Sequence, residues 1–169
     1  MPDTTAPDTR PTDMPESTQC NCAALRQASR RLTKFYDAAL ASTGLGINQY
    51  SILSRLNRHG PKGIQELAAM LAMDRSTLGH LLRPLEKRNL VRLTITPADK
   101  RRRVLVLTAE GQELVAQAQP LWTVAQRQFE QAFGSDNALA LRTVLRQVET
   151  ANLAESDNKR QPAVSPDHQ

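Results

Sequence analysis

In a chain whose apolar residues otherwise recur every three or four positions, Val91–Thr96 switches to strict alternation. Val91, Leu93 and Ile95 alternate with Arg92, Thr94 and Thr96, the pattern of a half-buried strand. Pro97-Ala98-Asp99-Lys100 then supplies turn chemistry, and residues 104–107 offer a second, more apolar strand. The pair predicts one hairpin set among helices, with Lys100, Arg101, Arg102 and Arg103 at its tip. The expected fold class is therefore mainly α, with a single two-stranded sheet.

Four helical stretches precede the hairpin. Leu25, Ala28, Leu32, Phe35, Tyr36 and Ala39 make one stripe, ended by Gly44 and Gly46. Asn48 reads as the N-cap of a second helix with Tyr50, Leu53 and Leu56 inside, stopped by Gly60-Pro61. Ile64, Leu67, Ala68 and Leu71 form a short third stripe, and Leu78, Leu81, Leu82 and Leu85 a fourth that ends near Asn89. After the hairpin, Thr108 opens a long helix to about Phe133, which Pro120 is expected to kink. Asp136 opens a last helix carrying Leu141, Val144, Leu145 and Val148.

The ends read differently. Residues 1–19 are acidic and rich in Pro, Thr and Asp, and residues 155–169 are similarly polar. Neither can bury enough apolar surface to offset the entropy of ordering, so both are expected to be disordered tails. The folded part is then 20–154, enough for one domain.

The formal charge of +5 is unevenly spread: residues 55–103 carry twelve Lys and Arg against four Asp and Glu. Such a concentrated positive field captures polyanions. No apolar run is long enough to span a bilayer and no secretory h-region is present, so no membrane partner and a cytoplasmic location are expected. Cys20 and Cys22 cannot form a disulfide framework. There is no Gly-rich phosphate loop, no nucleophile elbow and no ligand cluster: His59, His80 and His168 are scattered. An enzyme, a metal site and a cofactor are not expected.

The third and fourth helices, joined by a tight turn, suggest helix-turn-helix geometry. Asp74 is a suitable N-cap for the second of them. With its leucines turned to the core, Arg75, Ser76, Thr77, Gly79, His80, Arg83 and Lys87 are left on the outer face. Arg can fork onto guanine, Ser and Thr can bond phosphate or a base edge, and Gly lets the backbone approach. A hairpin tipped with four cations beside such a helix is a wing, able to meet phosphates or enter the minor groove.

The stretches "GLGINQYSILSRL", "GIQELAAMLAMDRSTLGHLLRPLEKRNLVRL" and "TPADKRRRVLVLTAEG", in this order of elements, resemble the MarR (multiple antibiotic resistance regulator) family over roughly 22–153. The resemblance implies a winged helix-turn-helix over about 47–108. It also implies a dimerisation domain built from N- and C-terminal helices, about 20–42 and 109–154. Contacts of the reading helix carry over to Arg75, Ser76, Thr77 and His80, and the wing's Asp and Arg to Asp99 and Arg101. Three departures stand out: Asn89 where the family has Gly, Pro84 late in the reading helix, and Gly63 in place of a Ser or Thr cap.

The implied function is a homodimeric, sequence-specific regulator of transcription on double-stranded DNA. It would act as a repressor at a pseudo-palindromic operator and be released by a small aromatic or phenolic effector. Arg26, Arg30, Tyr36, Tyr50 and His59 are candidates for an effector crevice. Two alternatives stand beside this reading: an oxidation sensor using Cys20 and Cys22, and a winged helix that serves as a protein-interaction module.

Overall fold

The computed structural model describes residues 20–96 and 99–152, with side chains outside the description for 96–102. The two expected tails therefore lie outside the described residues, as do Pro97 and Ala98. The elements are α1 (Asn21–Leu40), a 3-10 turn (Ala41–Thr43), α2 (Ile47–His59), α3 (Ile64–Met70), α4 (Arg75–Lys87), β1 (Val91–Thr96), β2 (Asp99–Leu107), α5 (Ala109–Phe133) and α6 (Ser135–Thr150). The mainly α, winged helix-turn-helix class stands. Two compact units divide at Arg127/Gln128, within α5.

In the first unit the predicted leucines make the core. Leu53 and Leu56 of α2, Leu67 of α3, and Leu78, Leu82 and Leu85 of α4 are buried with Leu40, Ile52 and Leu105. Burying each such side chain stabilises the fold by roughly 1.5–3 kcal/mol. The α3–α4 turn holds Ala72 in the left-handed region (φ +49°), a conformation that Cβ disfavours and that the residue type does not announce. Asn89 is also left-handed (φ +54°), as an Asn in a Gly position predicts.

Three local expectations need correction. Asn48 is not the N-cap of α2: the helix opens one residue earlier, after Gly46. The Gly46 N–H donates to Gln49 Oε1 (3.2 Å) and the Ile47 N–H to Asp37 Oδ1 of α1 (2.6 Å). A carboxylate from the preceding helix has displaced the local candidate. Asp136 likewise yields to Gly134 as the residue before α6. The wing strand, moreover, is half-buried only at its base: Val91 is 2% exposed, Leu93 38% and Ile95 53%. The hairpin leaves the core toward its tip, so the apolar face predicted by alternation emerges into solvent. Pro120 lies inside α5, as expected, and the helix continues past it to Phe133.

The sheet pairs Val91 with Leu107 through Ile95 with Arg103, antiparallel, then shifts so that Thr96 faces Asp99. Lys100, Arg101 and Arg102 stand within that irregularity. Residues beside Pro61 supply an unexpected third partner. The Lys62 N–H donates to the Leu105 carbonyl (3.1 Å), and the Leu105 N–H donates to that of Lys62 (2.8 Å). Gly111, the glycine of "LTAEG", is packed rather than flexible. A Cβ there would collide with the Leu90 carbonyl oxygen and lie 2.7 Å from Leu107 Cδ1. The Thr108 hydroxyl accepts from the Gly111 N–H (3.0 Å) and donates to the Asn89 carbonyl (2.6 Å), locking wing to helix.

In the second unit, Phe129 and Phe133 stack (centroids 5.3 Å apart), and Arg142 pairs with Glu130 (3.2 Å). On α6, Leu141 and Leu145 are half-buried, whereas Leu139, Val144 and Val148 are exposed.

Candidate nucleic-acid interface

The site is built on the first turns of α4. Asp74 caps the helix through two bonds to one residue: Oδ1 accepts from the Thr77 N–H (2.7 Å) and Oδ2 from the Thr77 hydroxyl (2.6 Å). These bonds, the hydroxyl's first, hold the Asp74 carboxyl below its usual pKa. The cap commits the Thr77 hydroxyl proton, which leaves its lone pairs and methyl group for an outside partner. Arg75, Ser76, Thr77, His80 and Arg83 are all exposed, while Leu78, Leu82 and Leu85 on the other side are buried. The five predicted residues thus share one open face, which Lys87 extends.

Gly79 lies in the same turns. A Cβ built on it would meet nothing within 4 Å, so no internal contact requires glycine there. Pro84 is exposed and α4 continues past it to Lys87, leaving the first turns regular.

On the wing, Arg103 is exposed and faces Ile95 across the ladder. The side chains of Asp99, Lys100, Arg101 and Arg102 fall outside the described ones; their backbone belongs to β2. Arg92 is a further exposed cation, on β1. It was legible as the polar position between Val91 and Leu93.

Of the effector candidates, two converge on α5. The Tyr36 hydroxyl donates to Gln126 Oε1 (2.8 Å), and Tyr36 meets Phe35 edge to face. Tyr50 stacks on Trp122, with centroids 6.2 Å apart. Residues 122 and 126 are one helical turn apart, so both tyrosines lie against one face. Trp122 and Gln126 were not singled out from the sequence, where they read as ordinary positions of a long helix. Burial raises the Tyr50 phenol above its usual pKa, against smaller opposing effects of a Ser54 hydrogen bond and the Arg58 charge. Arg26, Arg30 and His59 are exposed, the first two on the open half of α1 and the third at the end of α2. Cys20 and Cys22 are exposed free thiols, and Arg26 Nη2 donates to Cys22 Sγ (3.0 Å). Among the described residues no helix is long and apolar enough to cross a membrane.

Comparison with known proteins gives a consistent picture. The MarR family model matches residues 45–102. The HTH-type transcriptional repressor NicR of Pseudomonas putida is 32% identical over 114 residues, covering 68% of this chain and 70% of the relative. The transcriptional regulator HosA of Escherichia coli O111:H- is 41% identical over 69 residues, 40% of this chain. The chain spans about half of HosA's length, 51%. Among solved structures, the repressor CouR bound to a 23-mer DNA duplex superposes with a TM-score of 0.73 at 27% identity, covering 83% of this chain and 99% of that one. CouR, known from Rhodococcus jostii RHA1, has also been solved with p-coumaroyl-CoA, with a TM-score of 0.73 at 26% identity over 82% and 97% of the chains.

Proposed function

The chain belongs to the MarR family of transcriptional regulators, and on that premise we propose that it is a homodimeric, sequence-specific repressor. Two copies of α4 would enter successive major grooves of one duplex, at pseudo-palindromic half-sites about 10 base pairs, or roughly 34 Å, apart. The observation that carries this reading is the division of α4. Leu78, Leu82 and Leu85 are buried, and Arg75, Ser76, Thr77, His80 and Arg83 are exposed together around an unobstructed Gly79. Arg75 and Arg83 supply forked donors for guanine, Ser76 and His80 shorter polar contacts, and the helix N-terminus favours phosphate. Asp99, Lys100, Arg101, Arg102 and Arg103 of the wing would grip the flanking backbone or minor groove.

Enrichment of a random duplex pool by the purified protein tests the reading. An enriched inverted repeat, with affinity falling linearly in log salt, is the expected result. Arg75→Ala should then weaken the enriched site by roughly 1–3 kcal/mol and leave random duplex little changed. A protein that enriches no sequence and ignores DNA at low salt would instead be an interaction module.

Release by a small aromatic or phenolic effector is the accompanying proposal. CouR has been solved with p-coumaroyl-CoA, a thioester of a phenolic acid. Here Tyr36 and Tyr50, respectively bonded to Gln126 and stacked on Trp122, would form an aromatic and polar wall, and the exposed Arg26, Arg30 and His59 are further candidates to meet an acid. A panel of phenolic acids that leaves operator affinity unchanged would remove it. One contact favours a second reading: the Arg26 guanidinium donates to the sulfur of Cys22, an exposed free thiol two residues from another. If hydrogen peroxide lowers operator affinity in the parent but not in the Cys20→Ser/Cys22→Ser variant, and a thiol reductant restores it, oxidation is the signal.

A further inference from the structure

Arg88 is the one cation at the end of the reading helix whose guanidinium is engaged by the chain's own backbone among the described bonds. Nη1 donates to the Gly44 carbonyl (2.9 Å) and Nη2 to the Thr43 carbonyl (3.1 Å). These acceptors form the corner at which α1 gives way to α2. The corner is itself built tightly. Thr43 is buried with its hydroxyl donating to the Leu40 carbonyl (2.6 Å), and Gly44 is left-handed (φ +65°). Carbonyls at the end of a helical segment lack partners within it and carry partial negative charge, so a guanidinium fork satisfies two at once. An ammonium would not, because it has no planar pair of donors.

The last turns of α1, just before this corner, are fastened to α2 by the Asp37 bond to the Ile47 N–H. α1 is thus joined by a directional bond to the helix that precedes the helix-turn-helix, and the corner that directly follows α1 is joined by two more to the end of the reading helix itself. Leu78, Leu82 and Leu85 hold α4 by apolar burial, which is non-directional and fixes depth better than azimuth. The fork supplies the missing direction.

We propose that Arg88 is a positioning residue for DNA recognition: through the carbonyls of Thr43 and Gly44 it sets the angle of α4 against α1. In a dimer held through α1, that angle fixes the separation of the two reading helices. The inference rests on the dimeric reading above and names the residue through which subunit geometry reaches the reading helix.

The test uses the full chain, the inverted repeat enriched by the parent protein, and duplexes in which the half-sites are moved apart or together by one and two base pairs. The parent is expected to discriminate against each shift by about tenfold or more, within the usual range of coupling between sites. Arg88→Lys and Arg88→Met should narrow that discrimination to about two- to threefold, with affinity for random duplex unchanged in Arg88→Lys. Their circular dichroism and melting profiles establish that both variants fold. A uniform loss of affinity at every spacing would mean that Arg88 only stabilises the fold, and would overturn the proposal. A salt slope lower by about one unit in Arg88→Met would make it a phosphate contact, with the same consequence. If the parent prefers one spacing and both variants keep that preference, the inference fails alone. If the parent binds single half-sites as a monomer, the dimeric reading fails first and takes the inference with it.

Discussion

Two glycines show how one residue type serves opposite ends. Gly111 is fixed by its neighbours: Leu90 and Leu107 occupy the space a methyl group would need. Gly111→Ala must displace backbone, and should lower stability by about 1–3 kcal/mol or more, measured by denaturant unfolding. Gly79 is fixed by nothing inside the chain, yet glycine within a helix costs about 0.5–1 kcal/mol relative to alanine. Gly79→Ala should therefore raise the melting temperature slightly while weakening operator binding, because a methyl group would stand where the duplex approaches. Unchanged operator affinity would take Gly79 out of the interface. The first glycine could be placed in a motif from the sequence, but its reason lay chiefly in the Leu90 carbonyl, far upstream of it. Asp74 was legible outright, since a cap and its donors lie within three residues.

Among the elements, α4 has a pH-sensitive start. The Asp74 carboxyl is held below its usual pKa by hydrogen bonds from Thr77, so its contribution to the helix is present at neutral pH. As pH falls below the unfolded value of about 3.9 and through the lowered folded one, that contribution is lost. The Thr77 and Leu78 amide resonances should shift over that acid range and report fraying of the first turn. Asp74→Asn, which keeps an acceptor oxygen but not the titration, should hold them steady. A native chain whose amides do not move in acid would show the cap to be idle. The wing was legible as a hairpin, from its alternation and turn. Its exposure was not, because period 2 names the face of each side chain and says nothing of how far the core extends along the strand. Leu93 and Ile95 carry that lesson, as does Lys62, whose pairing with Leu105 has no local signal.

For the whole molecule, exposed apolar surface is the feature to be explained. Leu25 and Ala28 lie on the open half of α1, and Leu139 and Val144 are 56% and 53% exposed on α6. In the dimeric reading a second copy covers them. Leu139→Asp with Val144→Asp should then yield a folded monomer in sedimentation, with operator affinity reduced and binding to random duplex retained. Dimers that survive the double substitution would place the subunit contact elsewhere. The sequence by itself determined the order of elements, the buried stripes of α2, α3 and α4, the Asp74 cap and the open basic face of α4. Each of these follows from spacing within a few residues, which the chain carries wherever it folds. Tertiary structure alone decided that Asp37 caps α2, that Arg88 forks onto the corner after α1, and that Tyr36 and Tyr50 meet one face of α5. Those partners lie from 10 to 90 residues apart. Only folding selects, among many polar groups of equal local merit, the ones that arrive within hydrogen-bonding distance.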